Sequence, residues 1–368
     1  MITSMHVENF KCFERLDLPD VSRVTLIGGR NNIGKTCLLE AIFMFYDNAD
    51  PSMFIRHLAW RGIAASSADP DTLVAPAFRD FNVDHQIKIT ISDGIYHGTM
   101  VVKFNPSHTQ KTISIDLADS SNTNLQVRTD QEASISYALD IHYQIDGQPE
   151  RKTSLVVRQS PTSLNIQFDP HPISSFPEGM MHGAVYLGLQ VKVPSGENVG
   201  RFGQLDVEKR IDQIIAFLKV LEPNLEGLSA VTLLHQQPIV YADIGLNRKI
   251  PVAYMGDGMN RLLSIILAIA TTKNGVVLID EIDAGIHHSI MAKVWEGICR
   301  AARQFNCQII ATTHSYECVQ AAYDGVAQAE MAREFRYIRL DRVDTAIEGK
   351  TYTHEILGAA LEHGWEVR

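Results

Sequence analysis

Gly29-Arg30-Asn31-Asn32-Ile33-Gly34-Lys35-Thr36 is the stretch on which the reading of this chain turns. Just before it, Val24-Thr25-Leu26-Ile27 is a short apolar run of the buried-strand kind. Just after it, Cys37 to Phe45 runs without Gly or Pro, as a buried helix does. Strand, glycine-rich turn and helix in that order predict a phosphate-binding loop. Backbone N–H groups of Asn31 to Lys35, at the positive end of the helix, can wrap a β-phosphate. Gly29 and Gly34 let the backbone come close, Lys35 pairs with β/γ oxygens, and the Thr36 hydroxyl is a ligand for Mg2+.

Two more segments fit that reading. Val276-Val277-Leu278-Ile279 predicts a buried strand, and Asp280 and Glu281 follow it at the end where α/β sheets place ligands. Asp280 is expected to hold Mg2+, directly or through water, and Glu281 to orient or deprotonate the attacking water. Ile309-Ile310-Ala311 predicts another strand, ending in Thr312-Thr313-His314-Ser315. His314 is placed to meet the γ-phosphate or the attacking water.

Between these segments the texture changes. From about residue 86 to 168, period-two runs are punctuated by Asp93-Gly94, Asn105-Pro106 and Asp146-Gly147, which predicts antiparallel strands. The strands are placed at 87–91, 99–104, 112–117, 134–145, 153–158 and 163–168. Residues 172–203, rich in Gly, Pro and Ser, read as connecting loops around one strand at 184–189. A helix is expected at 206–221, a hairpin over 238–241 and 250–253, helices at 259–273 and 286–304, and strands at 276–279 and 307–311. A last strand at 335–340 and a closing helix at 355–365 end the chain. Residues 1–85 and 171–368 are thus two parts of one nucleotide-binding head, and 86–170 a β-rich insertion. The fold class is α/β, with a mainly parallel core sheet and an inserted antiparallel subdomain.

Bulk properties narrow the function classes. The formal charge of −10 argues against a non-specific nucleic-acid coat. The five cysteines, at 12, 37, 299, 307 and 318, form no CxxC pair, which suggests a reducing compartment. No apolar run is long enough to cross a bilayer. A cytoplasmic protein is the expectation.

Taken together, the phosphate loop, Gly256-Asp257-Gly258-Met259-Asn260-Arg261, Leu278 to Ser289 and Thr312-Thr313-His314-Ser315 resemble ABC-type ATPase heads. The chain is similar to the RecF/SMC/OLD branch, and most of all to the stand-alone AAA15 ATPases; Val7 to Phe13 also matches that branch's opening strand and turn. The resemblance covers residues 1–60 and 240–320. It implies an ATP- and Mg2+-dependent hydrolase whose two copies close head to head around two ATP molecules. It makes Gly256, Asp257, Gly258 and Met259 the signature segment that caps the γ-phosphate of the other copy. Gly256 stands where the family carries serine, which removes a hydroxyl donor. Asp283 becomes the residue working across the dimer interface, and Lys11 and Cys37 join the nucleotide contacts. The family's glutamine that senses Mg2+ falls, by position alone, on Gln86. Relatives of this type sit beside effectors in bacterial anti-phage or toxin–antitoxin-like systems, so a protein effector is the implied partner.

Two other functions compete. One is a nucleotide-gated binding module with little hydrolysis. The other is an ATP-dependent DNA-binding or repair ATPase, which the charge and the lack of a coiled-coil arm oppose. His287 and His288 are not a metal pair, because adjacent residues on a helix point apart.

Overall fold

Every residue from Val24 to Gly28 is buried, as a strand covered on both faces requires. A computed structural model of the chain describes residues 1–47, 54, 70–106, 135–159, 164–168, 183–188, 195–232 and 238–367. The strands in chain order are β1 (Ser4–Phe10), β2 (Phe13–Leu18), β3 (Val24–Gly28), β4 (Ile87–Ser92), β5 (His97–Asn105), β6 (Ile135–Ile145), β7 (Arg151–Gln159) and β8 (Leu164–Phe168). They continue with β9 (Ala184–Leu187), β10 (Gly227–Val231), β11 (Ile239–Asp243), β12 (Ile250–Pro251), β13 (Val276–Ile279), β14 (Gln308–Thr312), β15 (Phe335–Val343) and β16 (Ala346–Thr353). The helices used below are α1 (Lys35–Tyr46), α2 (Ser195–Val207), α3 (Ile211–Leu218), α4 (Asp257–Thr271), α5 (His288–Gln304), α6 (Tyr316–Gln328) and α7 (His354–Glu362).

The core sheet has the order β16-β15-β3-β14-β13-β9. All neighbours pair in parallel except the edge strand β16. Alternation sorts its side chains: Val276 and Leu278 join the core around α1, whereas Val277 and Ile279 join the core under α4, α5 and α6. The α/β class with a mixed sheet is therefore as expected.

The second sheet is antiparallel, in the order β2-β1-β4-β5-β6-β7-β8. Because β1 pairs with both β2 and β4, the strands of 86–170 do not stand apart. They complete a sheet that begins before the phosphate loop. The reason lies in α1, where every residue from Leu38 to Tyr46 is buried. A helix apolar all round must be covered on both sides: the core sheet covers one face and the antiparallel sheet the other. The strand expected at 112–117 lies outside the described residues.

Two expectations need correction. Residues 195–203 were expected as loop, yet they form most of α2, which ends at Val207, and a separate α3 follows. Gly196, Gly200 and Gly203 mask the pattern, but Val199, Phe202 and Leu205 make an apolar stripe that packs into the helical core. Strands β10 and β16 were not expected. Both are short of fully buried positions and hold their place by pairing with β11 and β15. The hairpin over 238–253 is present, with Tyr241 opposite Pro251.

Candidate active site

Three neighbouring parallel strands end on the same side of the core sheet. β3 leads into the loop 29–34, β13 into Asp280 and Glu281, and β14 into Thr313 and His314; in register, Ile279 lies beside Ala311 and Thr312 beside Ile27. Ligands of open α/β sheets bind at such ends. The sequence segments that suggested chemistry separately are thus brought together by topology.

Their polar atoms interlock. The Thr36 hydroxyl donates to Asp280, 2.9 Å from Oδ2 and 3.1 Å from Oδ1. The Thr312 hydroxyl also donates to Asp280 Oδ1, at 2.7 Å, and accepts from the Glu281 backbone N–H at 2.8 Å. A hydroxyl and a carboxylate side by side are hard oxygen donors of the kind Mg2+ takes, so Thr36 and Asp280 fit that ion. Lys35 Nζ donates to the Gly29 and Arg30 carbonyls at 2.7 and 2.9 Å. The ammonium is folded back over its own loop, satisfied by oxygens where phosphate oxygens would serve. Burial pulls the Lys35 pKa down, against the opposing pull of Glu281, Asp280 and Asp283. Gly34 takes φ 99°, and a Cβ there would meet Cys12 Sγ at 2.5 Å, so only glycine fits. Cys37, next in α1, is half-buried and hydrogen-bonded to Cys12, which pushes the Cys12 thiol far up.

Glu281 holds φ 48°, a conformation rare for a side chain of its size, and its side chain is 32% exposed. Such strain at the mouth of a site is maintained only by its surroundings, here the Thr312 hydroxyl on its N–H. His314 Nδ1 is 3.6 Å from Glu281 Oε1, beyond a direct hydrogen bond. Asp283 Oδ1 accepts from the buried Thr313 hydroxyl at 2.7 Å. The two threonines before His314 therefore hold the acids that follow β13.

The segment expected to act as the signature starts α4. Gly256 is the residue before the helix, at φ 99° and ψ 163°, a region essentially closed to other residues. A serine at this position would strain the backbone. A Cβ on Gly258 would meet the Gly285 carbonyl oxygen at 2.4 Å, so the helix start rests directly on the turn after Asp283. Met259 is buried in the helical core, while Asp257 is exposed. One turn on, Arg261 donates to the Asp280 carbonyl at 2.5 Å and reaches the Leu187 and Gly188 carbonyls at 3.3 and 3.2 Å. It ties the signature helix to the ends of β9 and β13.

Two expected contacts make no hydrogen bond to the loop among the described residues. Lys11 Nζ lies 2.5 Å from Glu40 Oε2, with side-chain exposures of 8% and 4%. That ammonium is committed to a buried ion pair inside the antiparallel sheet's contact with α1. Gln86 is exposed just before β4, and its backbone carbonyl accepts from Asn9. No hydrogen bond joins it to Thr36 or Asp280 among the described residues.

The sequence reading missed three contributors. Thr312 and Thr313 were quoted beside His314 without a role, although hydroxyls at a strand end facing acids were the available signal. Arg261 stands at the end of the segment that carries the resemblance, but its bonds to the Leu187, Gly188 and Asp280 carbonyls were not expected. The third is the chain's end: Arg30, Asn31, His314 and Glu366 together line a cavity of about 280 Å³ beside the loop. Nothing in the local sequence around Glu366 points there.

The profile of the family described as "AAA domain, putative AbiEii toxin, Type IV TA system" matches residues 24–319. The chain is similar to a Helicobacter pylori protein named ATP/GTP phosphatase, at 21% identity over 99% of this chain and 98% of that one. Among solved structures it is similar to an SMC head bound to the C-winged helix domain of ScpA, with TM-score 0.48, 13% identity, and coverage of 98% and 99%. An SMC head domain from Thermotoga maritima gives TM-score 0.40 at 10% identity, covering 95% and 98%. The family match contains residues 29–36, Gly256 to Met259, Asp280–Glu281 and His314, and the chain belongs to this AAA-domain family.

Proposed function

We propose that this ATPase binds Mg·ATP on residues 29–36, hydrolyses it, and works as a two-copy switch for a partner protein. The carrying observation is the Thr36–Asp280–Thr312 cluster, formed from three distant segments beside Lys35 and Glu281. Mg2+, held by Thr36 and Asp280, would offset charge on the β- and γ-phosphate oxygens. Lys35 exchanges the Gly29 and Arg30 carbonyls for phosphate oxygens. Glu281 orients the attacking water and takes its proton, as water adds in line to the γ-phosphorus and ADP leaves. His314, 3.6 Å from Glu281, bonds the γ-phosphate or that water. Catalysis is mostly positioning and charge neutralisation.

In this reading the γ-phosphate is capped by Gly256 to Met259 of a second copy. A would-be Cβ on Gly256 has nothing within 4 Å, and Asp257 is exposed, which leaves this end of α4 open to another chain. Asp283, steadied by Thr313, faces the same junction. The relative's name, ATP/GTP phosphatase, supports hydrolysis and makes GTP a second nucleotide to test. The family description, with its toxin and type IV toxin–antitoxin wording, supports a role in such a system; a protein effector partner and anti-phage defence are part of this proposal.

The test compares wild type with Glu281→Gln by phosphate release and by light-scattering mass in Mg·ATP. The variant is expected to lose hydrolysis and accumulate as a dimer. Unchanged hydrolysis removes Glu281 from its role, and a monomer under all conditions removes the two-copy reading. Co-purification of a neighbouring gene's product, stronger with the trapped variant, tests the partner.

A further inference from the structure

The peptide that joins Asp280 to Glu281 is held from both sides. Its carbonyl accepts from the Arg261 guanidinium at 2.5 Å, and its N–H donates to the Thr312 hydroxyl at 2.8 Å. A peptide unit is flat, with carbonyl and N–H pointing opposite ways, so two such bonds fix its plane. Three elements meet there: Arg261 belongs to α4, Thr312 ends β14, and the peptide follows β13. The tilt of this plane sets φ of Glu281. That angle is 48°, in the left-handed region that a side chain of this size avoids. A freed peptide would turn toward an ordinary φ and carry the Glu281 carboxylate with it.

Arg261 is itself anchored at the strand ends. It reaches the Gly188 and Leu187 carbonyls at 3.2 and 3.3 Å, and the Leu187 carbonyl also accepts from the Asp280 N–H at 3.0 Å. Both backbone polar groups of Asp280 are thus tied, one to β9 and one to α4. Among the described residues Arg261 bonds to carbonyls and to no carboxylate, so its contacts fix backbone rather than pair charge. Burial pushes its pKa down, and Asp280, Tyr186, Glu281 and Asp283 pull it back up. The guanidinium stays charged, and a charge-assisted bond is strong enough to set against backbone strain. Its Nε is buried without a hydrogen-bond partner. A donor left so costs stability, which points to a task other than stability.

We propose that Arg261 is a positioning residue for hydrolysis: with Thr312 it clamps the Asp280–Glu281 peptide in the strained orientation that aims the Glu281 carboxylate at the attacking water. This rests on the reading of Glu281 above and adds a residue that acts through Glu281. The clamp lies within one copy of the chain, so it operates whatever the number of copies. It also makes α4 part of the hydrolytic machinery, since a shift of that helix reaches Glu281 through one side chain.

The experiment measures Mg·ATP turnover and the affinity of a fluorescent ATP analogue for Arg261→Gln and Arg261→Lys. Arg261→Gln is expected to lower kcat by roughly tenfold to a hundredfold, the scale of a misplaced catalytic group. Its analogue affinity is expected to stay within about twofold of wild type, because residues 29–36 are untouched. That binding also reports that the variant folds. Arg261→Lys, which keeps a charged donor for the Asp280 carbonyl, is expected to recover part of the rate. In single-turnover measurements, Glu281→Gln alone and Glu281→Gln with Arg261→Gln are expected to be equally slow, since residues acting as a unit are not additive. The proposal is overturned by a kcat within about twofold of wild type in Arg261→Gln, or by equal losses of kcat and affinity. It is equally overturned by a lysine variant no faster than the glutamine one, or by a double variant slowed by the full factor of each single change. Wild-type hydrolysis in Glu281→Gln instead overturns the reading of Glu281 on which it stands.

Discussion

Thr36 and Asp280, 244 positions apart in the chain, share a hydrogen bond of 2.9 Å. That bond joins the helix after the phosphate loop to the strand end that carries the acids. Replacing Thr36 by Val or Asp280 by Asn should weaken Mg2+-dependent nucleotide binding by roughly tenfold to a hundredfold, the range seen when metal-site partners are lost. Titrating Mg2+ against nucleotide fluorescence checks this. Equal Mg2+ dependence in wild type and variants would show that the pair is structural.

Placing a serine at position 256 should harm rather than help. Gly256→Ser must hold φ 99° and ψ 163°, at a cost of about 1–3 kcal/mol, or shift the start of α4. We expect a lower melting temperature and weaker ATP-dependent dimerisation, with nucleotide binding to the monomer unchanged. Improved hydrolysis in this variant would count against the strain argument.

Lys11 and Glu40 give a sharp test between packing and catalysis. Lys11→Met removes the cation paired with a Glu40 carboxylate that is 4% exposed, and breaking a buried pair in this way typically costs about 3–5 kcal/mol. Removing both charges, with Lys11→Met and Glu40→Leu together, should recover most of that stability. Thermal unfolding measures both. A loss of nucleotide affinity that the double substitution fails to restore would return Lys11 to the nucleotide site.

Much of the site was legible in the sequence because its parts are local. A glycine loop between a strand and a helix, or an apolar strand ending in two acids, is a pattern a few residues long. Lys35, Thr36, Asp280, Glu281 and His314 all meet at one end of the core sheet for that reason. Lys11 and Gln86 were not legible: whether a lysine after a strand faces phosphate or a buried glutamate depends on a helix residue 29 positions away. Glu366 is the extreme case, since only folding brings it beside Arg30. In the same way, glycines in 195–203 suggested loop, although Phe202 and Leu205 carried the apolar stripe that folds them as helix.

Three thiols give a pH prediction. Burial pushes Cys299, Cys307 and Cys318 from an ordinary 9.0 up to about 12. At pH 8 their thiolate fraction is on the order of one in ten thousand, so iodoacetamide should label them only after unfolding, as mass spectrometry would show. The sign for stability follows. Below pH 9 the thiols are neutral in both states; between 9 and 12 only the unfolded chain ionises, so stability falls as pH rises through that window. Denaturation midpoints flat from pH 8 to 11 would contradict this.

Cys12, in the turn between β1 and β2, rests against Gly34 of the loop, and β1 is bonded on through five further strands to β8. At roughly 4.8 Å per strand, that far edge stands about 24 Å from its root. A tilt of about 10° imposed on the loop side would therefore carry β8 by roughly 4 Å. If phosphate binding tilts the loop side in this way, the antiparallel sheet acts as a lever arm whose far edge moves the most.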